Sequence, residues 1–99
     1  MELTFLNMTG KLVTHEYPNG RLALTIEDDE GEIARCTTNV ASAQLAEGEV
    51  LIKDYSENEG MLAMLISAGV VKDTGRRVQS GWVQIPVCEL LINTEAKNS

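Results

Sequence analysis

Residues 50–87 read VLIKDYSENEGMLAMLISAGVVKDTGRRVQSGWVQIPV, and the reading of this stretch decides the fold. The apolar run Val50-Leu51-Ile52 predicts a strand over residues 49–53. Ser56 and Glu59 stand three apart ahead of an apolar run, which is the capping-box spacing: the serine oxygen accepts from the Glu59 amide and the glutamate reaches back to the Ser56 amide. Glu57 and Glu59 fall where the positive end of a helix dipole favours carboxylates. Met61, Leu62, Leu65 and Ile66 then recur at helical spacing, and Gly69 supplies a left-handed stop. The spacing therefore predicts a helix over residues 56–68 with a Met/Leu stripe turned to the core. Gly60 is its weak point, because an interior glycine costs about 1 kcal/mol relative to alanine.

Beyond the helix, residues 70–80 read as a polar link with turns at Thr74-Gly75 and Ser80-Gly81. Residues 82–92 read as the last strand. Pro86 inside it removes a ladder donor, which predicts an edge or a bulge there.

Upstream, residues 2–7 alternate weakly, with Leu3 and Phe5 on one face, as a short strand or ordered arm does. Thr9-Gly10 reads as a break, and residues 11–17 as a second strand with Leu12 and Val13 as its apolar content. Pro18-Asn19-Gly20 follows, and an Asn-Gly pair between two strand-like runs is a strong hairpin signal. Leu22, Leu24 and Ile26 then alternate with Ala23, Thr25 and Glu27, as in an antiparallel strand with one buried face. Residues 28–32 are an acidic turn, 33–39 a third strand, and 40–49 a connection with a short helical turn near 41–45. The resulting class is α+β: an antiparallel sheet of about four to six strands with the helix packed on one face. Residues 1–92 form one domain, and residues 93–99 a frayed polar tail.

The chain has 99 residues, enough for one core. Aromatics are 4% of it, so that core is aliphatic and methionine-rich. The net charge of −7 disfavours a direct grip on nucleic acid, since phosphate binding needs a basic footprint. The charge is uneven: residues 1–60 hold 12 acids and 4 bases, residues 61–99 hold 3 acids and 4 bases. The start lacks a basic segment followed by a long apolar run, and no apolar run is long enough to span a bilayer, which makes the cytoplasm the expected compartment. Cys36 and Cys88 have neither zinc nor redox-motif spacing and read as small buried hydrophobes.

Chemistry is sparse. The acids of residues 27–32 lack the twelve-residue ligand spacing of a calcium loop. They read as a solvated turn, or as an acidic surface for a basic partner once Glu47, Glu49, Asp54, Glu57 and Glu59 are added. His15 is the one histidine, and nothing in its spacing assembles it with a cysteine and Glu16 into a nucleophile, base and orienting group. Neither a cofactor, a metal nor an enzymatic activity is expected. Lys72, Arg76 and Arg77 form a small basic cluster able to pair with acids of the same molecule or of a second copy, or to contact a phosphate, and too small to predict nucleic-acid binding. Trp82 is either core or an interface anchor.

A wider pattern joins these residues. Tyr17, then Asn19-Gly20-Arg21-Leu22-Ala23-Leu24, Gly31-Glu32, Ala34 and Thr37-Thr38-Asn39-Val40 come first. Ile52-Lys53-Asp54-Tyr55, Asn58-Glu59-Gly60, Leu65 and Gly69-Val70 follow, then Thr74-Gly75-Arg76, Ser80-Gly81-Trp82-Val83 and Pro86-Val87. Over residues 17–92 this resembles a family of small uncharacterised domains carried by bacterial mobile elements: conjugative elements, plasmids and phages. Where members carry an aspartate and a pair of asparagines after the strand isoleucine, this chain has Lys53-Asp54-Tyr55. The resemblance carries over no catalytic residue. It implies a setting in which small acidic proteins block host defence machines such as CRISPR effectors or restriction enzymes, some by placing carboxylates where DNA phosphates would sit. The expectation is thus a non-enzymatic binding protein of anti-CRISPR or anti-restriction type that meets a basic nucleic-acid-binding effector. The expected contact residues are Asp28, Asp29, Glu30, Glu32, Asp54, Tyr55, Glu57, Arg76 and Trp82. The alternative is a homodimeric interaction module without an anti-defence role.

Overall fold

The computed structural model describes residues 1–92, and the frayed tail expected over residues 93–99 lies outside them. The elements run β1 (Glu2–Phe5), β2 (Met8–Glu16), β3 (Leu22–Asp28), β4 (Gly31–Arg35), β5 (Glu49–Leu51), a 3-10 turn (Ser56–Asn58), α1 (Met61–Ser67), β6 (Val71–Ser80) and β7 (Val83–Leu90). Strands far outweigh the helix, so the α+β class holds in a strand-rich form. The expected single sheet is instead a pair: β1-β2-β3-β4 and β5-β7-β6, antiparallel throughout.

Residues 51–53 join the two sheets. Thr37 bridges to Ile52, Thr38 N–H donates to Leu51 O at 3.0 Å, and Lys53 N–H donates to Cys36 O at 2.8 Å. On its other side Ile52 N–H donates to Pro86 O at 3.1 Å. Pro86 has no N–H to return that bond, and the β5–β7 pairing ends at Leu51–Val87. Pro86 was expected at an edge or a bulge. It lies in the central strand of its sheet, and the irregularity is in its neighbour: β6 bulges between Asp73 and Arg77, where Thr74 Oγ1 donates to Val87 O at 2.6 Å.

The helix is shorter than its sequence pattern and begins differently. Ser56 sits at φ 56, within a 3-10 turn, and caps nothing with its side chain. The α-helical turns start at Met61, behind Gly60 at φ 99. That conformation suits glycine, so the residue read as a weak interior position is the junction that lets the chain turn into the helix. The orphan amides are met by Asp54, whose Oδ1 accepts from Gly60 N–H at 3.1 Å and Leu62 N–H at 2.9 Å. The far end is as expected. Gly69, at φ 76, donates to Ile66 O, and Val70 donates to Leu65 O, the paired bonds of a Schellman stop. Met61 and Leu65 are buried in the core, whereas Ile66 is exposed.

Two other expectations change at strand level. Thr9-Gly10 is no break: β2 runs through it, and the turn is at Leu6-Asn7, both at positive φ. A Cβ on Gly10 would stand 2.6 Å from Glu27 O, so glycine is there for close backbone approach. Residues 70–80, read as a polar link, are mostly β6. The Pro18-Asn19-Gly20 hairpin is as expected: Tyr17 N–H donates to Arg21 O at 2.7 Å, with Gly20 at φ 86.

The main core packs Leu3, Phe5, Leu24, Ile26 and Cys36 of the first half against Val50, Ile52, Met61, Leu65, Val70, Val71 and Cys88 of the second. Ile33 and Ala34 are half-buried against it. A smaller cluster of Ala43, Leu51, Ile85 and Val87 is flanked by Val40, Leu45, Tyr55, Val78 and Val83. Arg21 fixes the loop over that cluster by donating to Val40 O at 2.7 Å and to Ala43 O.

Candidate functional site

The acidic turn joins β3 to β4. Asp28 Oδ1 accepts from Glu30 N–H at 2.8 Å, which shapes the turn, while the Asp29 and Glu30 side chains are exposed and, among the described residues, form no ion pair. Strand pairing adds residues that a linear reading misses. Glu2 lies beside Lys11 and Lys11 beside Glu27, so a hollow of about 360 Å³ gathers Glu2, Glu27, Asp28 and Asp29 around Lys11. Glu27 accepts from Thr25 Oγ1 at 2.7 Å and lies 2.6 Å from His15 Nε2. These contacts, the threonine hydrogen bond first, hold its carboxyl below the ordinary range.

Glu32 and Glu57 belong to a different groove of about 420 Å³, shared with Arg35, Lys53, Leu6, Met8 and Ile33. Each carboxylate there has a partner: Glu32 meets Arg35 at 3.2 Å and Glu57 meets Lys53 at 2.6 Å. Lys53 depresses the Glu57 carboxyl, chiefly through that hydrogen bond.

Three of the expected contact residues have structural work instead. Asp54 caps α1 with its Oδ1. Tyr55 packs on the smaller core cluster, with Lys53 Nζ 5.9 Å from its ring centroid. Arg76 is ion-paired with Glu49, whose carboxyl is depressed first by that guanidinium and then by the Ala46 N–H it accepts at 2.8 Å. Arg77 grips Asp73 with two bonds of 2.9 Å, so most of the basic cluster is already neutralised.

Trp82 departs furthest from a core reading. β7 begins at Val83, and Trp82 stands with Gly81 in the two-residue turn between β6 and β7. Gly81 is at φ 59, as the first position of a type II′ turn requires. Gln79 Nε2 donates to Gly81 O at 2.8 Å and steadies the turn. The indole is 101% exposed.

His15 pairs with Glu27 on the outer surface, while both cysteines are buried in the main core and free. Burial pushes each thiol up to about 12. Cys88 lies opposite Val50, while Cys36 O accepts from Lys53 N–H, so the two thiols stand on opposite sides of the segment 50–53 within one core cluster. Among the described residues no group of three or more His, Cys, Asp or Glu side chains is placed to hold a metal ion, and no helix is long and apolar enough to cross a membrane. The chain was compared with protein-family models, curated proteins and solved structures, and it matches none of them.

Proposed function

We propose that this chain is a non-enzymatic protein-binding module. It docks through Trp82 and presents the carboxylates of the β3–β4 turn to a basic, nucleic-acid-handling partner. The observation that carries this reading is the fully exposed indole on a short, steadied turn. Tryptophan is enriched among the few residues that dominate binding energy, and a side chain held out before binding loses little freedom on contact. The charge pattern supports the partner's sign. Arg35, Lys53, Arg76 and Arg77 are ion-paired with local acids, whereas among the described residues Asp29 and Glu30 form no ion pair, and Lys11 is outnumbered by the carboxylates of the hollow it shares. An unneutralised acidic end steers toward a basic groove and away from nucleic acid itself. The resemblance to mobile-element domains supplies the setting, in which the partner is a CRISPR or restriction complex and the carboxylates compete with DNA phosphates.

The test is a cleavage assay with purified restriction and CRISPR effectors, with and without the protein, followed by titration against the effector that responds. Trp82→Ala is expected to weaken inhibition about 30-fold, as loss of a strong anchor does. Asp28→Asn with Asp29→Asn and Glu30→Gln is expected to slow association and flatten its salt dependence. Absence of inhibition across the effectors overturns the anti-defence reading. Inhibition indifferent to Trp82→Ala overturns the docking mode.

A further inference from the structure

β6 is the free edge of the three-stranded sheet, pairing with β7 on one side and, among the described residues, with no strand on the other. Opposite residues of an antiparallel pair either turn their hydrogen-bonding groups toward each other or both turn them away, in alternation along the strand. Pro86 turns away from β6, because its carbonyl accepts from Ile52 N–H on the β5 side at 3.1 Å. Arg77 lies opposite Pro86, so the Arg77 N–H and C=O point out from the edge. Those of Gln79, two residues on, point the same way. Among the described residues no further hydrogen bond reaches the main chain of either. The other edges differ. Thr37 and Thr38 lie along β5, Asn58 Nδ2 holds Arg35 O at the end of β4, and β1 brings Glu2 into the acidic hollow.

Proteins commonly protect such edges with charge or a bulge. The bulge of β6 lies at residues 74–76 and leaves residues 77–80 regular. Its charges are balanced within the molecule: Arg77 pairs with Asp73, Arg76 with Glu49, and Lys72 lies opposite Glu89. In a molecule of net charge −7, a balanced edge is where copies meet with least repulsion. The edge also matches itself, as a two-fold contact requires. A second β6, turned about an axis perpendicular to the sheet and passing between the two Val78 residues, runs antiparallel to the first. It sets Arg77 of each copy opposite Gln79 of the other, so that outward N–H and C=O groups meet. Centring on Arg77 instead would oppose like charges, and centring on Gln79 would leave Arg77 facing the turn at Gly81. Val78 is half-buried against the smaller core cluster. In the chosen register it meets its twin as a non-hydrogen-bonded pair, the spacing at which side chains approach most closely. Continuing that register brings Gly81 to Gly75 of the other copy. Both border open space, and neither has a side chain to hold the copies apart.

We propose that the β6 edge is a homodimer interface, in which two β6 strands pair antiparallel over residues 77–79 about the two Val78 residues and the two three-stranded sheets merge into one. The ladder is short and the dimer correspondingly weak. The contact uses the β6 edge and not the indole, so it does not depend on the partner proposed for Trp82 and the acidic turn.

Sedimentation equilibrium of the full chain tests it. The mass is expected to rise with concentration from 10.8 kDa toward twice that value. Gln79→Glu sets a carboxylate opposite Arg77 at both ends of the ladder and is expected to tighten self-association about tenfold. Gln79→Lys sets like charges there and is expected to weaken it by a similar factor. Residue 79 is exposed, so both variants keep the fold, which circular dichroism checks. Val78→Cys is expected to give a disulfide-linked dimer on mild oxidation, because residues facing across a non-hydrogen-bonded pair stand within disulfide reach. Gln79→Cys, more exposed but offset from its twin, is expected to give little. A mass that stays at one copy throughout overturns the proposal. A dimer indifferent to charge at residue 79 places the contact elsewhere and overturns it too, and stronger cross-linking at residue 79 than at residue 78 overturns the register.

Discussion

Asp54 begins the helix from outside it, six residues ahead of Gly60. Asp54→Ala is expected to lower stability by about 1 kcal/mol, as loss of a cap does. Ser56→Ala is expected to stay within about 0.5 kcal/mol, because its side chain makes no cap bond. Urea denaturation of the two variants checks this, and the opposite order would restore the capping box. The Ser-x-x-Glu spacing is present, but its use requires Ser56 in extended backbone, and the chain there is already committed to a 3-10 turn. Tyr55 is tied to one core cluster and Asn58 to another element: Asn58 is buried, and its Nδ2 donates to Arg35 O at 2.5 Å. Such long-range commitments leave no mark at short spacing. Trp82 illustrates the same limit. Its residue type allowed core or anchor, and only the two-residue length of the turn at Gly81 puts it outside.

Elements with a strong local signal were legible. The Asn-Gly hairpin, the Gly69 stop and the burial of Leu24 and Ile26 follow from residue chemistry that acts over two to four positions, whereas the face of β3 expected to be solvated is not, since Ala23 and Thr25 are buried too. The helix stripe was legible in its centre and not at its border. Leu65 is 0% exposed and Ile66 44%. Leu65→Ala is therefore expected to cost about 2–5 kcal/mol, and Ile66→Ala about 0.5 kcal/mol or less. Thermal melts of both variants place the buried face, and equal losses would show that the helix is rotated. β6 was not legible because its Thr74-Gly75-Arg76 bulge interrupts the alternation and only Val71 among its residues is fully buried. An edge strand needs little apolar content, so it resembles a loop. Of the candidate surface, the acidic turn was legible from composition, while Glu2 and Glu27 joined it only through strand register.

Across the whole molecule, carboxylates with cationic or hydrogen-bonded partners link stability to pH. Glu27, Glu49, Glu57 and Asp73 have folded-state values below ordinary ones, Asp73 chiefly through Arg77. A depressed carboxyl contributes stability above its unfolded value, about 4, and loses it as pH falls through the folded value. The melting temperature is therefore expected to hold from neutrality to about pH 5 and then fall on further acidification. Glu49→Gln is expected to make that acid limb shallower. A melting temperature that rises toward pH 3 would show that relief of the net negative charge outweighs these pairs.

The seam at residues 51–53 has a consequence for how the molecule is put together. Every ladder of the four-stranded sheet is made before residue 36, and every ladder of the three-stranded sheet after residue 48. The covalent link between them crosses once, over an exposed turn near Glu47. The protein is in effect a pair of interlocking parts on one string. A polypeptide severed at that turn keeps each part's own hydrogen bonding and the apolar surface that fits the other, so the fragments retain the means to reassemble, and intact chains to trade halves.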